Sequence, residues 1–404
     1  MPSNILTVND EIFNYIDDVN YGMTNSQINH LATIMHGLIN VSGNKSISSI
    51  GKAIANSKDK SCMYKFLSSS DFDENVLNSN RINHITQSLE SVISSGSVGF
   101  ISIDDTINKK SINTRSMDGL GYHYSHTEGK SVLSHCVVTS NFSVGDISIP
   151  IDFESYYKED YCRTFKKEFK SKIDIAKEFI QDFKQPSKCD KIYVLTDSWY
   201  TSSPIIRETL NQGYQFIGAI KSNRIIYSNG MKMQISEFAK TINPYSLDVV
   251  TVKGKDYRVY LYKGNVNNFD NISIAICYEV DGCKLKEPFY IITSDLDIDE
   301  KTIIEYYAIR WTIETNYKYL KSNLGFDKYR VRSLISIERY FLIVFLSIDF
   351  LELFRVTKSV LESIGETIKY QENLSFKALV DYIYCKSKGN TCIEDIYKTL
   401  NIAC

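Results

Sequence analysis

Residues 98–105 read VGFISIDD: an apolar, β-branched and aromatic run that ends abruptly on two carboxylates. Such a run, bounded by the turn signals around Ser94–Ser97, predicts a buried strand over Val98–Asp105. Outward from it the same texture predicts strands at Ser131–Phe142 and Ile147–Ser155, a helix over Ile173–Phe183, and a strand at Lys191–Thr196. A helix over Ser203–Asn211 and a strand at Gln215–Ile220 complete the order βββαβαβ. Three strands able to form a meander, followed by strands joined through helices, predict an α/β fold with a mixed sheet flanked by helices. Asp105 closes the first strand and Asp197 closes Ile192–Leu195, so both carboxylates are expected at strand ends, where functional groups gather in open sheets.

Flanking segments have a different texture. Residues 1–95 lack alternation and predict short helices at Asn25–Ile39, Ser46–Ala55, Ser61–Leu67 and Glu74–Ser94. Residues 230–294 turn strand-like again, with Leu247–Val252, Tyr257–Tyr262, Ile272–Tyr278 and Phe289–Thr293, and predict a β-rich insertion. A long helix capped by Asp297 or Asp299 follows, running to Asn323 and stopping at Gly325. A second apolar helix spans Leu334–Phe354, and from Val356 the tail predicts two or three short helices with breaks at Tyr370–Asn373 and Ser387–Thr391. The domain reading is therefore 1–95, 96–229, 230–294, 295–355 and 356–404.

Within the long helix, Tyr307, Arg310, Glu314 and Lys321 are separated by two, three and six residues. At about 100° per residue they fall at about 0°, 300°, 340° and 320°, one stripe roughly 60° wide. Tyr306, Ile309, Ile313, Tyr317, Leu320 and Leu324 form a separate apolar face. An ordinary amphipathic helix with an Arg310–Glu314 pair accounts for the same spacing. Three converging carboxylates, however, suit a hard divalent cation, and a carboxylate flanked by cations and a phenol suits a metal beside a phosphodiester.

The totals bound the partners. The 404 residues are 43% hydrophobic and 23% charged with a net charge of -2, so contact with phosphate must come from local clusters. One cluster is Arg163, Lys166, Lys167, Lys170 and Lys172; the other is Lys318, Lys321, Lys328, Arg330, Arg332 and Arg339. Residues 1–100 carry 6 Lys and Arg against 9 Asp and Glu, which weakens a nucleic-acid reading of that segment taken alone. Nine scattered cysteines without Cys-x-x-Cys read as reduced thiols. No signal peptide is visible and the longest apolar run, Tyr340–Ile348, is too short to span a bilayer, so a cytoplasmic location without membrane contact is expected. His123, His126 and His135 match no zinc spacing, Ser198 and Ser202 lack a nucleophile's company, and no phosphate loop implies ATP.

With these residues in view, the chain resembles DDE transposases of the IS4 type, whose signature Tyr-x2-Arg-x3-Glu-x6-Lys is matched by Tyr307, Arg310, Glu314 and Lys321. ISIDDT at 101–106, VLTDSWY at 194–200 and IITSDLDIDEKTIIEYYAIRWTIE at 291–314 resemble the family's three carboxylate segments. SSIGKAI at 48–54 and SCMYKFLSSSDFDENVL at 61–77 resemble its helical DNA-binding region, and the likeness covers residues 25 to 350. The resemblance implies a ribonuclease H-like core and Asp105, Asp197 and Glu314 as catalytic metal ligands for Mg²⁺, with Mn²⁺ as the alternative. Asp104 and Asp105 point to opposite sheet faces, and Asp105 is preferred because the family's aspartate directly precedes a threonine. Tyr307, Arg310 and Lys321 would contact DNA phosphates. The implied activity is cleavage at the ends of an insertion sequence and transfer of the 3′-OH into target DNA, by a homodimer pairing two terminal inverted repeats. A catalytically silent DNA-binding descendant and a nuclease without strand transfer are the alternatives. The family holds a flipped base on aromatics, often a tryptophan of the insertion; here the only tryptophans are Trp199 and Trp311. Stacking would then fall to Tyr257, Tyr260 or Tyr262, or be absent, with Trp311 packed in the core.

Overall fold

The computed structural model describes residues 8–20, 22–54, 59–114, 116–228, 230–266, 269–358, 360–389 and 391–399. Five helices come first: α1 (Asp10–Val19), α2 (Asn25–Asn40), α3 (Ile47–Ala53), α4 (Lys60–Ser69) and α5 (Glu74–Val92). Each starts on a side chain that accepts from its first turn, namely Asn9, Thr24, Ser46, Asp59 and Asp73. α1 is not among the helices expected from the sequence, and Ala55, the expected end of the helix that begins at Ser46, lies outside the described residues.

Strands β1 (Ser97–Lys109), β2 (Gly121–Ser125), β3 (Lys130–Val144) and β4 (Ile147–Tyr156) follow, then α6 (Glu159–Phe165), α7 (Lys172–Asp182), β5 (Cys189–Thr196), α8 (Ser203–Asn211) and β6 (Gln215–Ala219). Next come β7 (Ile225–Ser228), β8 (Met231–Gln234), α9 (Ile235–Thr241), β9 (Val249–Val252), β10 (Lys255–Val266), β11 (Phe269–Asp281), β12 (Lys284–Leu285) and β13 (Phe289–Thr293). All join one mixed sheet in the order β2-β3-β1-β5-β6-β13-β11-β10-β7-β8, with β4 beside β3, β9 beside β10 and β12 on β11. β1, β5 and β6 run parallel, whereas β3 and β13 are antiparallel to their neighbours. This mixed sheet flanked by helices is consistent with a ribonuclease H-like fold. Residues 230–294 widen that sheet, since β13 pairs with β6 and β11 with β13.

The predicted long helix is segmented into α10 (Glu300–Tyr307), a 3-10 turn at Ala308–Arg310, α11 (Trp311–Lys318) and a π turn at Tyr319–Asn323. Asp299 caps it and Gly325, at φ 72°, follows its end. α12 (Leu334–Thr357) is apolar on all sides because it is buried on all sides, packing against α2, α4, α5 and β4. Among the described residues, no helix is long and apolar enough to cross a membrane. The tail is one helix, α13 (Ile364–Lys388), with α14 (Ile393–Thr399) after it; the expected break at Tyr370–Asn373 is absent because residues 364–388 contain neither proline nor an interior helix-breaking turn.

Two apolar layers sandwich the sheet, and their membership sets the direction of each side chain. Ile101 and Ile103 of β1 and Ile192 and Val194 of β5 pack with α5, α7 and α8. Phe100 of β1 and Tyr193 and Leu195 of β5 pack with Ile303 and Ile304 of α10. The N-terminal helices share a third apolar cluster with α12. There His36, 1% exposed, is held near pKa 4 by burial. His135, 3% exposed, is likewise pushed to about 4 by burial; its Nδ1 is 2.6 Å from the Tyr329 hydroxyl and its Nε2 is 2.7 Å from the Asp118 carbonyl oxygen. Both folded values lie below the unfolded 6.5, so this stabilisation is present above pH 6.5 and is lost as pH falls toward 4. Between pH 7 and pH 4.5, urea unfolding of His36→Met should show a change in stability less unfavourable than that of the wild type by roughly 3 kcal/mol, the share that protonating this one buried ring costs.

Candidate active site

The last registered pair between β1 and β5 is Ile103 with Thr196, so Asp104 and Asp197 come next to one another where β5 ends; β1 itself continues to Lys109 in register with β3, so Asp105 does not close the first strand as expected. Alternation puts Asp104 on the Phe100 face and Asp197 on the Tyr193 and Leu195 face, which is the face covered by α10 and α11. Glu314 of α11 reaches this end of the sheet through Arg310: the guanidinium is 2.8 Å from Glu314 and 3.5 Å from Asp104. Asp104, Asp197, Glu314 and Arg310 therefore belong to one neighbourhood. The Asp104 carboxyl is pushed up to about 7, first by burial and then by the Asp197 charge, with Asp105 adding and Arg310 opposing.

Asp105, preferred from the sequence, takes the other face, the one occupied by Ile101 and Ile103. Its oxygens accept from Lys172 Nζ at 2.7 Å, Tyr200 Oη at 3.0 Å and Cys136 Sγ at 3.3 Å, which places it across the strand from Glu314. The physical reason is parity: in an extended strand consecutive side chains cannot share a face. Asp197 has one oxygen in the turn after β5, accepting from the backbone N–H groups of Trp199 and Tyr200 at 2.9 and 3.0 Å.

The rest of the stripe is distributed along the strand end. The Arg310 guanidinium lies 5.8 Å from the Tyr307 ring and 5.6 Å from the Trp311 ring. Burial raises the Tyr307 phenol while Arg310 opposes the shift. Lys321, in the π turn, donates to the Ile107 carbonyl at 2.9 Å, and burial lowers its pKa. It is thus a tether from the helix to β1 as well as a charge near it. π turns recur at functional sites because they rotate side chains off the regular helical stripe.

Several other expectations change. Trp311 is 63% exposed, contrary to the core position expected for it, and Trp199 is 50% exposed beside Asp197. Tyr257 and Tyr262 are buried in the sheet's apolar layers, so neither presents a face for stacking. Of the first basic cluster, Lys172 pairs with Asp105, Lys170 with Glu154 and Glu178, and Arg163 with Glu159 and Asp160. In the second cluster Arg339 is a structural residue, buried against the Phe72 ring and paired with Glu74. Lys328, Arg330 and Arg332 are exposed, alternating with buried Tyr329 and Val331, and with Lys109 and Lys110 they line a cleft of about 670 Å³. Lys109 and Lys110 belong to neither basic cluster of the sequence; their signal is their place four and five residues after Asp105 on the same run.

The donor set has the chemistry of a hard-cation site, being all carboxylate oxygen with two of its members adjacent and one destabilised as an anion. Arg310 supplies the positive charge between Asp104 and Glu314. Among the described residues, no group of three His, Cys, Asp or Glu is drawn close enough to hold a metal ion.

Two family comparisons bear on this arrangement. A model described as a DDE superfamily endonuclease matches residues 20–236, which include Asp104, Asp105 and Asp197. A model described as a transposase DDE domain matches residues 170–350, which include Asp197 and the Tyr307–Lys321 stripe. No curated protein matches the chain.

Proposed function

For a chain that belongs to the DDE superfamily of endonucleases, we propose the specific activity of an IS4-type transposase: divalent-metal-dependent cleavage at the ends of its own element and strand transfer into target DNA. The observation that carries the reading is the shared face of Asp104, Asp197 and the Arg310–Glu314 pair at one end of the sheet. Asp104, Asp197 and Glu314 are the ligands in this reading, with Asp104 in the place first expected of Asp105. Mg²⁺ or Mn²⁺ bound there would lower the pKa of a water and neutralise charge on the attacked phosphate. Attack of the water oxygen on phosphorus breaks the P–O3′ bond, and one water proton ends on O3′. The resulting 3′-OH then attacks a target phosphodiester, a second exchange of one P–O bond for another. Arg310, once drawn from Asp104, presents a planar two-pronged donor to a phosphate, while Tyr307 and Lys321 border the same edge.

The basic cleft continues from this end. Lys109 lies five residues beyond Asp104, ~17 Å along an extended strand, or about five base pairs of duplex axis. Arg330 and Arg332 then neutralise phosphates flanking the scissile bond. Arg330→Glu with Arg332→Glu should weaken binding of DNA carrying the element's ends and reduce the slope of log K against log salt by about 2. The cleavage rate at saturating DNA should stay near wild type. A salt slope equal to that of the wild type would remove the cleft from the DNA path.

The functional test is a plasmid holding the gene with its flanking DNA, incubated with purified protein, Mg²⁺ and a target plasmid. Cleaved and joined products support the transposase. Nicks without joining would indicate a nuclease, and binding without cleavage a silent DNA-binding protein.

A further inference from the structure

The hydrogen bonds of Asp105 couple two parts of the site that its own position on the wrong face prevents it from joining. Asp105 accepts from Tyr200 Oη at 3.0 Å, while the backbone N–H of the same Tyr200 donates to Asp197 Oδ1 at 3.0 Å. One residue thus bridges the two carboxylate-bearing strands from beneath. Tyr200 is 1% exposed, so its ring has no freedom to follow a displaced turn. The turn is closed further by Thr201, whose N–H and hydroxyl both bond the Asp197 carbonyl, at 3.1 and 2.8 Å. On the other side of Asp105, Lys172, the first residue of α7, holds Oδ2 at 2.7 Å and carries its charge against the rings of Tyr156 and Trp199 at 5.5 and 5.3 Å. Directly above, the backbone N–H of Asp105 donates to Asp104 Oδ1 at 2.8 Å. Asp105 is therefore joined to Asp104 through its backbone and to the Asp197 turn through its side chain.

We propose that Asp105 and Tyr200 are positioning residues, with Asp105 fixing the Asp197 turn relative to Asp104 through the Tyr200 hydroxyl and Lys172 holding Asp105 in place. The proposal rests on Asp104, Asp197 and Glu314 being the ligands. Two carboxylates next to one another repel, and because β1 continues past Asp104 in register with β3, the part that would yield is the Asp197 turn after the end of β5. The bond from the buried Tyr200 supplies the resistance from the opposite face of β1. Groups that orient ligands in this way are expected to change metal affinity by about 10- to 100-fold when removed.

The two bonds of Asp105 separate into two readouts. Tyr200→Phe keeps the buried ring and removes only the hydroxyl, so its melting temperature should move by no more than about 3 °C. Its affinity for Mn²⁺, measured calorimetrically on the DNA-free protein, should fall about 10-fold or more. Asp105→Asn keeps an acceptor for Tyr200 but leaves Lys172 without its counter-charge, so it should melt lower while holding Mn²⁺ more tightly than Tyr200→Phe does. Asp105→Ala should lose both, and excess Mn²⁺ should restore its cleavage. If Tyr200→Phe and Asp105→Ala bind Mn²⁺ as the wild type does while Asp104→Ala does not, the positioning role is wrong and the ligand assignment stands. If Asp104→Ala binds normally and Asp105→Ala does not, the ligand assignment itself is wrong.

Discussion

Asp104→Ala should lower the rate of DNA cleavage by about 10³-fold or more at every metal concentration, whereas Asp105→Ala should recover as Mn²⁺ is raised. The loss corresponds to about 4 kcal/mol of transition-state stabilisation, the several kcal/mol that a metal's charge contributes when a ligand is needed to hold it. The asymmetry between neighbouring aspartates follows from parity alone. Asp104 leaves β1 on the side of Arg310 and Glu314, and Asp105 on the side of Lys172 and Tyr200. Rate against Mn²⁺ concentration for the two variants measures the difference directly, and a saturating rate for Asp105→Ala as low as that of Asp104→Ala would argue against it.

Asp349→Ala should destabilise the protein by about 3–5 kcal/mol, the cost of leaving a buried charge without its partner. Arg81 of α5 and Asp349 of α12 are both fully buried, 2.6 Å apart. The same guanidinium donates to the carbonyl oxygen of Ile151 on β4 and, through Nε, to Asn78 Oδ1 at 2.9 Å. One side chain thereby ties an N-terminal helix, the α12 core helix and an edge of the sheet. Removing Asp349 strands a guanidinium in an apolar interior that Phe345 helps to line. Double replacement by Arg81→Met and Asp349→Leu should regain much of the loss, because the cost lies in the unpaired charge rather than in the missing bond. Denaturant unfolding of the three proteins distinguishes these cases. An Asp349→Ala protein within about 1 kcal/mol of wild type would show that Arg81 is satisfied by its other partners.

The strands that carry the aspartates, the capped helix that carries Glu314 and the helix after it were legible because their apolar periods are long and their ends are marked, by Asp299 and Gly325 for example. The choice between Asp104 and Asp105 was not legible from the strand. Phe100, Ile101 and Ile103 are all buried, and a strand covered on both faces carries no alternation from which to read direction. Trp311 owes its exposure to its angle on the helix and not to its residue type. At about 100° per residue it falls about 40° from Tyr307, on the polar edge, where the structure has it exposed. α1 was missed although Ile12, Tyr15, Ile16 and Val19 follow the helical spacing after the Asn9 cap. The 3-10 and π turns that aim Arg310 and Lys321 have no sequence signature at all. They lie between α10, packed on the sheet layer of Tyr193 and Leu195, and Leu320 and Leu324, which pack in the α12 cluster.

The most direct test of the metal-dependent cleavage reading is Asp197→Ala, assayed on the plasmid carrying the gene and its flanking DNA in the presence of Mg²⁺. Asp197 is the one of the three proposed ligands that both family matches include, and it does not depend on the choice between Asp104 and Asp105. The expected result is binding of the flanking DNA at wild-type affinity with cleavage reduced by about 10³-fold or more. Cleavage by Asp197→Ala at the wild-type rate would contradict the account.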